Sequence, residues 1–305
     1  MRNPPKAAKK VATPAPNAPI DISKFAAVIR KQFGDTAIQV PGKDADFMLR
    51  RISDWLDVGK YNEVFGNEAR GIPCGYYTEL SGEESAGKST LGYCILAWAQ
   101  AAGYVAWLAD VEHSFDVPWA VKQGVDTNNL LIIESAYEQG KKFIVDNVDK
   151  SFEKWEDLIR QAWAMYQRPQ ILLIDSIAAL LPKEQLEGEY GERSVGALAR
   201  ALAVNLPKFH SALIETKTAC IIVNQLRDSI GVMFGEKEHT TGGRAKNFYF
   251  SSRVQVKRMK TLAAQISKTE KKPYAILSRV KNKKNKVGVP FREVKMEINF
   301  DTGIV

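Results

Sequence analysis

The stretch Gly82-Glu-Glu-Ser-Ala-Gly-Lys-Ser-Thr90 reads G-x-x-x-x-G-K-[ST], and it decides the fold of this 305-residue chain. An apolar run over residues 75–80 precedes it, and an amphipathic run over 91–102 follows it. A strand, a glycine-rich loop and a helix in this order bring backbone N–H groups and the positive helix end to one phosphate. We predict that Lys88 contacts the terminal phosphates of a nucleotide and that the Ser89 hydroxyl ligates Mg²⁺.

Fully apolar runs alternate with helical patterns after this loop, which is typical of a parallel sheet covered on both faces. The runs that predict the inner strands lie at 104–108, 130–133, 171–174 and 219–223. Three later runs, at 254–256, 274–280 and 294–298, predict a β-meander at one edge. The predicted fold class is therefore α/β, with a mostly parallel central sheet and a phosphate loop after its first strand.

Polar residues follow three of the predicted strands. Asp175 ends the run Ile171–Asp175, which is the pattern of a Mg²⁺-holding aspartate. Asp110 or Glu112 would polarise the water that attacks the terminal phosphate, and Gln225 would sense that phosphate. Each residue alone is more often a helix cap or a solvated strand end. Their convergence on one phosphate loop favours nucleotide hydrolysis.

The charge distribution points to a polyanionic partner. The formal net charge is +8, and residues 253–286 hold twelve Lys/Arg residues against a single acidic residue, Glu270. A basic cluster of this kind is typical of nucleic-acid binding, although most lysine runs are solvated surface. The three cysteines form no CxxC pair, which indicates a reducing cytosol, and no apolar run is long enough to span a bilayer.

Two glycine-punctuated segments, Glu187–Gly196 and Gly231–Gly243, place apolar residues inside polar loops. Loops of this length in a compact domain are usually functional or disordered. Apolar side chains flanked by Arg and Lys suit insertion between stacked bases. These segments are therefore predicted to contact DNA.

At this point the chain resembles the bacterial RecA recombinase family. The motifs that carry the resemblance occur in the family's order and span roughly residues 22–304: GEESAGKSTL from Gly82, ADVEH from Ala109, ILLIDSIAALLP from Ile171, NQLR from Asn224 and IGVMFGEKEHTTGG from Ile230. The resemblance implies a RecA-like ATPase core that uses ATP and Mg²⁺.

The resemblance also implies roles for individual residues in hydrolysis. Glu112 is similar to the glutamate that activates the water, and Gln225 to the sensor of the terminal phosphate. Trp119 and Phe300 fall where the family stacks on and covers adenine. Lys284 and Lys286 match lysines that reach the ATP of a neighbouring subunit. The implied ATP-binding residues are Gly82, Glu83, Glu84, Ser85, Ala86, Gly87, Lys88, Ser89, Thr90, Asp116, Trp119, Asp175 and Phe300; Ser89, and Asp175 through water, would hold Mg²⁺.

For DNA the resemblance implies two sites. The primary site, along the axis of a filament, would be formed by Val195, Arg200, Arg227, Ile230, Gly231, Val232, Met233, Phe234, Gly242 and Gly243. The secondary site, for the incoming or displaced strand, would be formed by Lys257, Arg258, Arg279 and Lys281.

The chain departs from the family pattern in several places. Ser135–Lys150 resembles an insertion, Pro207 stands where a DNA-contacting arginine is usual, and Arg244 replaces an uncharged residue. Residues 1–20 read as a disordered, basic Pro/Ala-rich arm, 21–45 as an oligomerisation helix and strand, and 46–305 as the core. The end at Val305 predicts that the family's C-terminal domain is absent, which suggests a phage or distant bacterial source.

We therefore expect a cytoplasmic, ATP-dependent recombination protein for DNA repair and the SOS response, in the host cytoplasm if phage-encoded. It would polymerise on single-stranded DNA and exchange strands with a homologous duplex. Further partners would be copies of itself and a single-strand-binding protein, with no membrane. Two alternatives are a ring-shaped DNA motor or helicase, and a non-catalytic DNA-coating filament switched by ATP. The IGVMFG and TTGG motifs disfavour the first alternative, and Glu112 disfavours the second.

Overall fold

The computed structural model describes residues 22–33, 52–139, 142–188, 196–228, 238–243, 245–265 and 271–305. The chain divides into two compact units, Met1–Arg50 and Arg51–Val305. In the first unit, helix α1 spans Ile22–Phe33, within the segment 21–45 that was predicted to contain a helix, and Arg30 and Lys31 lie in its last turn. The strand predicted to follow this helix, within residues 34–45, lies outside the described residues.

The second unit alternates strands and helices as the sequence predicts. Its helices of four or more residues are α2 (Asn62–Phe65), α3 (Lys88–Ala101), α4 (Val117–Lys122), α5 (Val148–Tyr166), α6 (Lys183–Glu187) and α7 (Ala197–Glu215). Its strands are β1 (Trp55–Leu56), β2 (Ile72–Pro73), β3 (Tyr77–Gly82), β4 (Val105–Asp110), β5 (Leu130–Glu134), β6 (Ala136–Gln139), β7 (Lys142–Val145), β8 (Gln170–Asp175), β9 (Thr218–Asp228), β10 (Glu238–Thr240), β11 (Phe250–Gln265), β12 (Lys271–Asn285), β13 (Glu293–Asn299) and β14 (Gly303–Ile304).

One large sheet organises this unit, in the order β14-β13-β12-β11-β3-β9-β8-β4-β5. The strands from β11 to β5 are parallel, whereas β12, β13 and β14 continue from β11 as an antiparallel meander. The predicted mixed sheet and its meander edge are therefore confirmed. Because the inner strands are parallel, their carboxyl ends meet at one edge, where the phosphate loop and the loops after β4, β8 and β9 emerge.

Helices cover the sheet on both faces, and alternate residues of each inner strand serve the two cores. On β8, Ile171 and Leu173 pack into the core that includes α3, while Leu172 and Ile174 pack into the core that includes α5 and α7. All four side chains are essentially inaccessible to solvent. Burying each such side chain contributes about 1.5–3 kcal/mol, so the two cores fix the strands that carry the site.

The apparent insertion forms a hairpin at the edge strand β5. Strands β6 and β7 pair antiparallel, with Gln139 opposite Lys142. The Asp146 amide donates to the Ser135 carbonyl at 2.8 Å and closes the base of the hairpin. Among the described helices, none is long and apolar enough to cross a bilayer.

Candidate nucleotide and DNA sites

The phosphate loop leaves β3 at Gly82 and enters α3 at Lys88, as predicted. Gly87, the residue before the helix, has a φ of +99°, and a Cβ there would lie 2.2 Å from the Ile298 Cδ1 atom. Only glycine satisfies both conditions, since other residues rarely adopt this conformation and their Cβ would collide with the meander. The start of α3 is thus open to a phosphate and closed to larger side chains.

The loop forms one wall of a cleft of about 310 Å³. Two aromatic residues predicted to contact adenine, Trp119 and Phe300, line the same cleft, together with Ile276 and Ile298 of the meander. The Trp119 indole donates to the Thr90 hydroxyl at 3.0 Å, which ties the ring to the first turn of α3. Sequence reasoning missed both isoleucines, because apolar meander residues are indistinguishable from core residues by pattern.

Asp116 has a different immediate role from the one implied for it. Its carboxylate accepts from the Trp119 amide at 2.9 Å and caps α4, and its side chain does not line the cleft. Asp116 therefore stabilises the start of α4, the helix that carries Trp119, and in this way helps to hold the Trp119 ring in place.

The two candidate carboxylates after β4 are separated by their hydrogen bonds. Asp110 accepts from the amides of Ser114 and Phe115, both at 3.0 Å, so it caps the loop that follows. Glu112 instead accepts from the Gln225 side chain at 3.2 Å and from the Ser176 hydroxyl. Of the alternatives that the sequence left open, Glu112 is the one whose carboxylate contacts Gln225.

The electrostatics of the loop suit a polyphosphate with a hard cation. The Lys88 ammonium donates to the Glu83 carbonyl at 2.7 Å; burial lowers its pKa, against the opposing pull of Asp175 and Glu112. Burial raises the pKa of Asp175 to about 6, while a hydrogen bond with Ser89 and the charge of Lys88 act in the opposite direction. Hydroxyl and carboxylate oxygens side by side are ligands that Mg²⁺ accepts, so Ser89 and Asp175 fit the ion.

Lys284 and Lys286 do not line this cleft. Their ammonium groups donate to the backbone carbonyls of Asn247 and Phe248, the second at 2.6 Å. Phe248 is 76% exposed. Both lysines thus contact the short segment that precedes β11, beside an exposed aromatic side chain.

The bases of the two predicted DNA loops meet at the amino end of α7. Arg200 lies in the first turn of this helix, and a Cβ on Gly243 would lie 2.7 Å from the Ala199 Cβ. Gly242 and Gly243 both have positive φ values. The Arg227 backbone pairs with His239 between β9 and β10, which brackets the second loop. Val195 and Ile230–Phe234 lie outside the described residues.

The predicted secondary site falls on the β11–β12 ribbon. Lys257 stands directly opposite Arg279, and Gln255 opposite Lys281, so three of the four basic residues share a ribbon face. Lys257 lies 3.6 Å from Glu83, and Lys281 lies 3.3 Å from Glu293. Arg258 follows Lys257 along the strand and is exposed.

Comparison with known proteins agrees with this geometry. The model of the RecA N-terminal domain matches residues 21–305. The chain is 38% identical to Protein RecA of Bacteroides thetaiotaomicron, over 90% of this chain and 76% of that protein. It is 36% identical to Protein RecA of Chlorobaculum tepidum, over 97% of this chain and 81% of the relative. It is also 36% identical to Protein RecA of Thermus aquaticus, over 90% of this chain and 74% of the relative. With its phosphate loop, its meander and its paired loop bases, the chain belongs to the RecA family.

Proposed function

We propose that this protein is an ATP-dependent recombinase that polymerises on single-stranded DNA and exchanges strands with a homologous duplex. The observation that carries the proposal is the contact between Glu112 and Gln225. Gln225 belongs to β9, the strand that continues into the second predicted DNA loop. One strand therefore connects the nucleotide cleft with a DNA-binding segment over a few residues.

In hydrolysis, Glu112 accepts a proton from the attacking water, and Lys88 stabilises charge on the terminal phosphate. Ser89 and Asp175 would hold Mg²⁺, which would supply positive charge against the bound phosphates. Trp119 and Phe300 cover the base, and the two meander isoleucines exclude water from its edges. The Gln225 amide, released from Glu112, turns to the terminal phosphate and moves the start of the loop.

The energy of nucleotide binding then selects between two states of the loop. With ATP bound, the second loop holds single-stranded DNA. After hydrolysis the contact between Gln225 and the terminal phosphate is lost, and the DNA is released. Lys284 and Lys286 contribute to the ATP site of a neighbouring protomer, which makes hydrolysis depend on assembly. The basic ribbon face holds the second strand through its phosphates, independent of sequence.

Electron microscopy with single-stranded DNA and a non-hydrolysable ATP analogue tests the architecture. We expect right-handed helical filaments that require both ligands, and none from the Lys88→Ala variant. Closed rings would favour a motor or helicase instead. Protein that stays monomeric with nucleotide, Mg²⁺ and oligonucleotide together contradicts the proposal.

A strand-transfer assay then separates a recombinase from a passive DNA coat. Filaments on a labelled strand are offered a homologous duplex or a heterologous duplex of the same length. We expect joint molecules from the homologous duplex alone. Filaments that form normally but yield no joint molecules would identify a coat protein.

A further inference from the structure

A buried ionic cluster connects strands β3, β9 and β11 with Lys246. Glu79, in the middle of β3, is inaccessible to solvent, and Lys246 is 1% exposed. The Lys246 ammonium donates to one carboxylate oxygen of Glu79 at 2.9 Å, and the Arg253 Nε donates to the other at 2.6 Å. The Asn224 amide donates to Glu79 at 3.0 Å. The carboxylate is thus held by three donors from three separate segments.

Such a cluster is costly for a fold to maintain. Burial alone would raise the pKa of Glu79, but Lys246 and Arg253 outweigh it and hold that pKa below its ordinary value. Burial lowers the pKa of Lys246, and Glu79 opposes the change. Buried ion pairs are often no more stabilising than apolar residues of the same volume. A cluster of two cations and one anion therefore calls for a role besides stability.

Asn224 and Gln225, which are adjacent on β9, connect the cluster with Glu112. The Asn224 side-chain oxygen accepts from the backbone N–H of Gln225 at 2.9 Å, and the Gln225 side chain donates to Glu112 at 3.2 Å. Asn224 also donates to the Thr241 carbonyl at 3.0 Å, at the base of the second DNA loop. Asn224 thus joins the cluster both to Gln225 and to the base of the second DNA loop.

Through Asn247 the cluster is also connected to Lys284, one of the two lysines proposed to act on the ATP of a neighbouring protomer. The Lys246 ammonium donates to the Asn247 side-chain oxygen at 3.1 Å and to the Thr240 hydroxyl. Lys284 donates to the Asn247 backbone carbonyl. Asn247 therefore links the buried lysine to Lys284.

We propose that Glu79 and Lys246 are positioning residues that place Lys284 for the triphosphate bound by a second copy of this chain. The state of one protomer's cleft and DNA loop would then set the hydrolysis rate at the adjacent ATP. This inference rests on the proposed function, because it requires Lys284 to act between protomers.

The Lys246→Met variant tests it with little risk to the fold, since Glu79 keeps Arg253 as a partner of opposite charge. A misplaced charged group can slow hydrolysis on the order of a hundredfold. We expect a DNA-stimulated rate lower by about ten- to a hundredfold, with thermal unfolding close to wild type. The Asn247→Ala variant, which removes only the side-chain link, is expected to lose less. Lys295→Met, at an exposed position of β13, is the matched control and should behave as wild type.

Mixed filaments reveal whether the loss acts on the neighbour. Lys246→Met protomers are diluted into an excess of Glu112→Gln protomers, which cannot hydrolyse their own ATP but carry an intact cluster and intact lysines. We expect the rate per Lys246→Met protomer to recover to that of wild-type protomers diluted in the same way. Failure to recover means that Lys246 acts on its own cleft, and it overturns the inference.

A parallel dilution of the Lys284→Ala, Lys286→Ala double variant separates this inference from the proposed function. Recovery of the double variant without recovery of Lys246→Met rejects the positioning role alone. No recovery of the double variant rejects the action of the lysines between protomers, and the inference with it.

Discussion

Glu112 follows β4, and its side chain accepts hydrogen bonds from Gln225 of β9 and from Ser176, which follows β8. We predict that Glu112→Gln removes the proton acceptor without changing side-chain size, and lowers ATP turnover by about 10²–10⁴-fold. ATP-dependent binding to single-stranded DNA should persist. Turnover is measured by phosphate release and binding by fluorescence anisotropy. Glu138→Gln, at an exposed position of β6, is the control; unchanged turnover in Glu112→Gln would refute the catalytic assignment.

The sequence predicts some residues of the site better than others, for a physical reason. The phosphate loop requires glycine, lysine and a hydroxyl at fixed spacing, so its pattern alone identifies it. Asp110 and Glu112 are both carboxylates after one strand, and only the amides of Ser114 and Phe115 distinguish the loop cap from the candidate base. Glu79 was missed, although a charged residue inside an otherwise apolar strand is itself a signal of a buried partner.

The environment of His210 predicts how the stability of the fold depends on pH. Burial lowers its pKa, its buried Nε2 atom has no hydrogen-bond partner among the described residues, and its ring packs against Tyr76 and Tyr77. Because the folded state disfavours the protonated ring, stability should fall as pH drops below about 6.5, where the unfolded chain takes up the proton.

His210→Phe keeps the ring packing and removes this titration. We expect the urea midpoint of the variant to fall less between pH 7.5 and pH 5.5 than that of the wild type, an interval chosen to span about one unit on each side of the ordinary histidine pKa. An identical pH dependence in both proteins would show that other groups control acid stability.

At the scale of elements, apolar runs located the strands but not their lengths. Strand β12 runs over Lys271–Asn285, whereas the run that predicted it covers only residues 274–280. The additional residues are mainly Lys and Asn, which leave no apolar signal whether they are exposed, as Lys271 is, or buried, as Asn282 is. Antiparallel pairing with β11 extends the strand regardless, because its backbone hydrogen bonds do not depend on side-chain type.

The hairpin of β6 and β7 provides a prediction at this scale. Its base is closed by the Asp146 amide and the Ser135 carbonyl, and Lys154 lies 3.8 Å from the centre of the Tyr137 ring. Replacing residues 136–145 with a short Gly-Ser turn should leave the fold and nucleotide affinity intact. The lost cation–π contact should lower stability by about 0.5–1 kcal/mol.

Circular dichroism, urea unfolding and binding of a fluorescent ATP analogue measure this outcome. The Tyr137→Ala variant is the matched control, since it loses the ring contact but keeps the hairpin. Loss of nucleotide binding on excision alone would show that the hairpin supports the cleft.

At the scale of the whole molecule, the parallel order of the inner strands brings distant segments to one edge. The phosphate loop and Glu112 follow β3 and β4, and Gln225 lies near the end of β9, a strand distant in sequence that pairs with β3. That convergence was predictable, because carboxyl ends of parallel strands always share an edge. The β11–β12 ribbon passes this edge, where Lys257 lies 3.6 Å from Glu83 of the phosphate loop, and β11 continues beyond it to Gln265.

The ribbon therefore makes the last prediction. Arg279 and Lys281 lie on one face of β12, and Lys271 and Lys272 lie at the exposed start of the same strand. The logarithm of the duplex binding constant falls linearly with the logarithm of the salt concentration, with a slope of about −0.9 for each phosphate contact. Changing Arg279 and Lys281 to Gln should therefore make this slope less negative by about 1.8. ATP hydrolysis stimulated by single-stranded DNA should be retained. The control is the Lys271→Gln, Lys272→Gln double variant, which removes the same charge and should leave the slope unchanged. Equal changes of slope in both double variants would mean that net charge, rather than this face of the ribbon, attracts the second DNA strand.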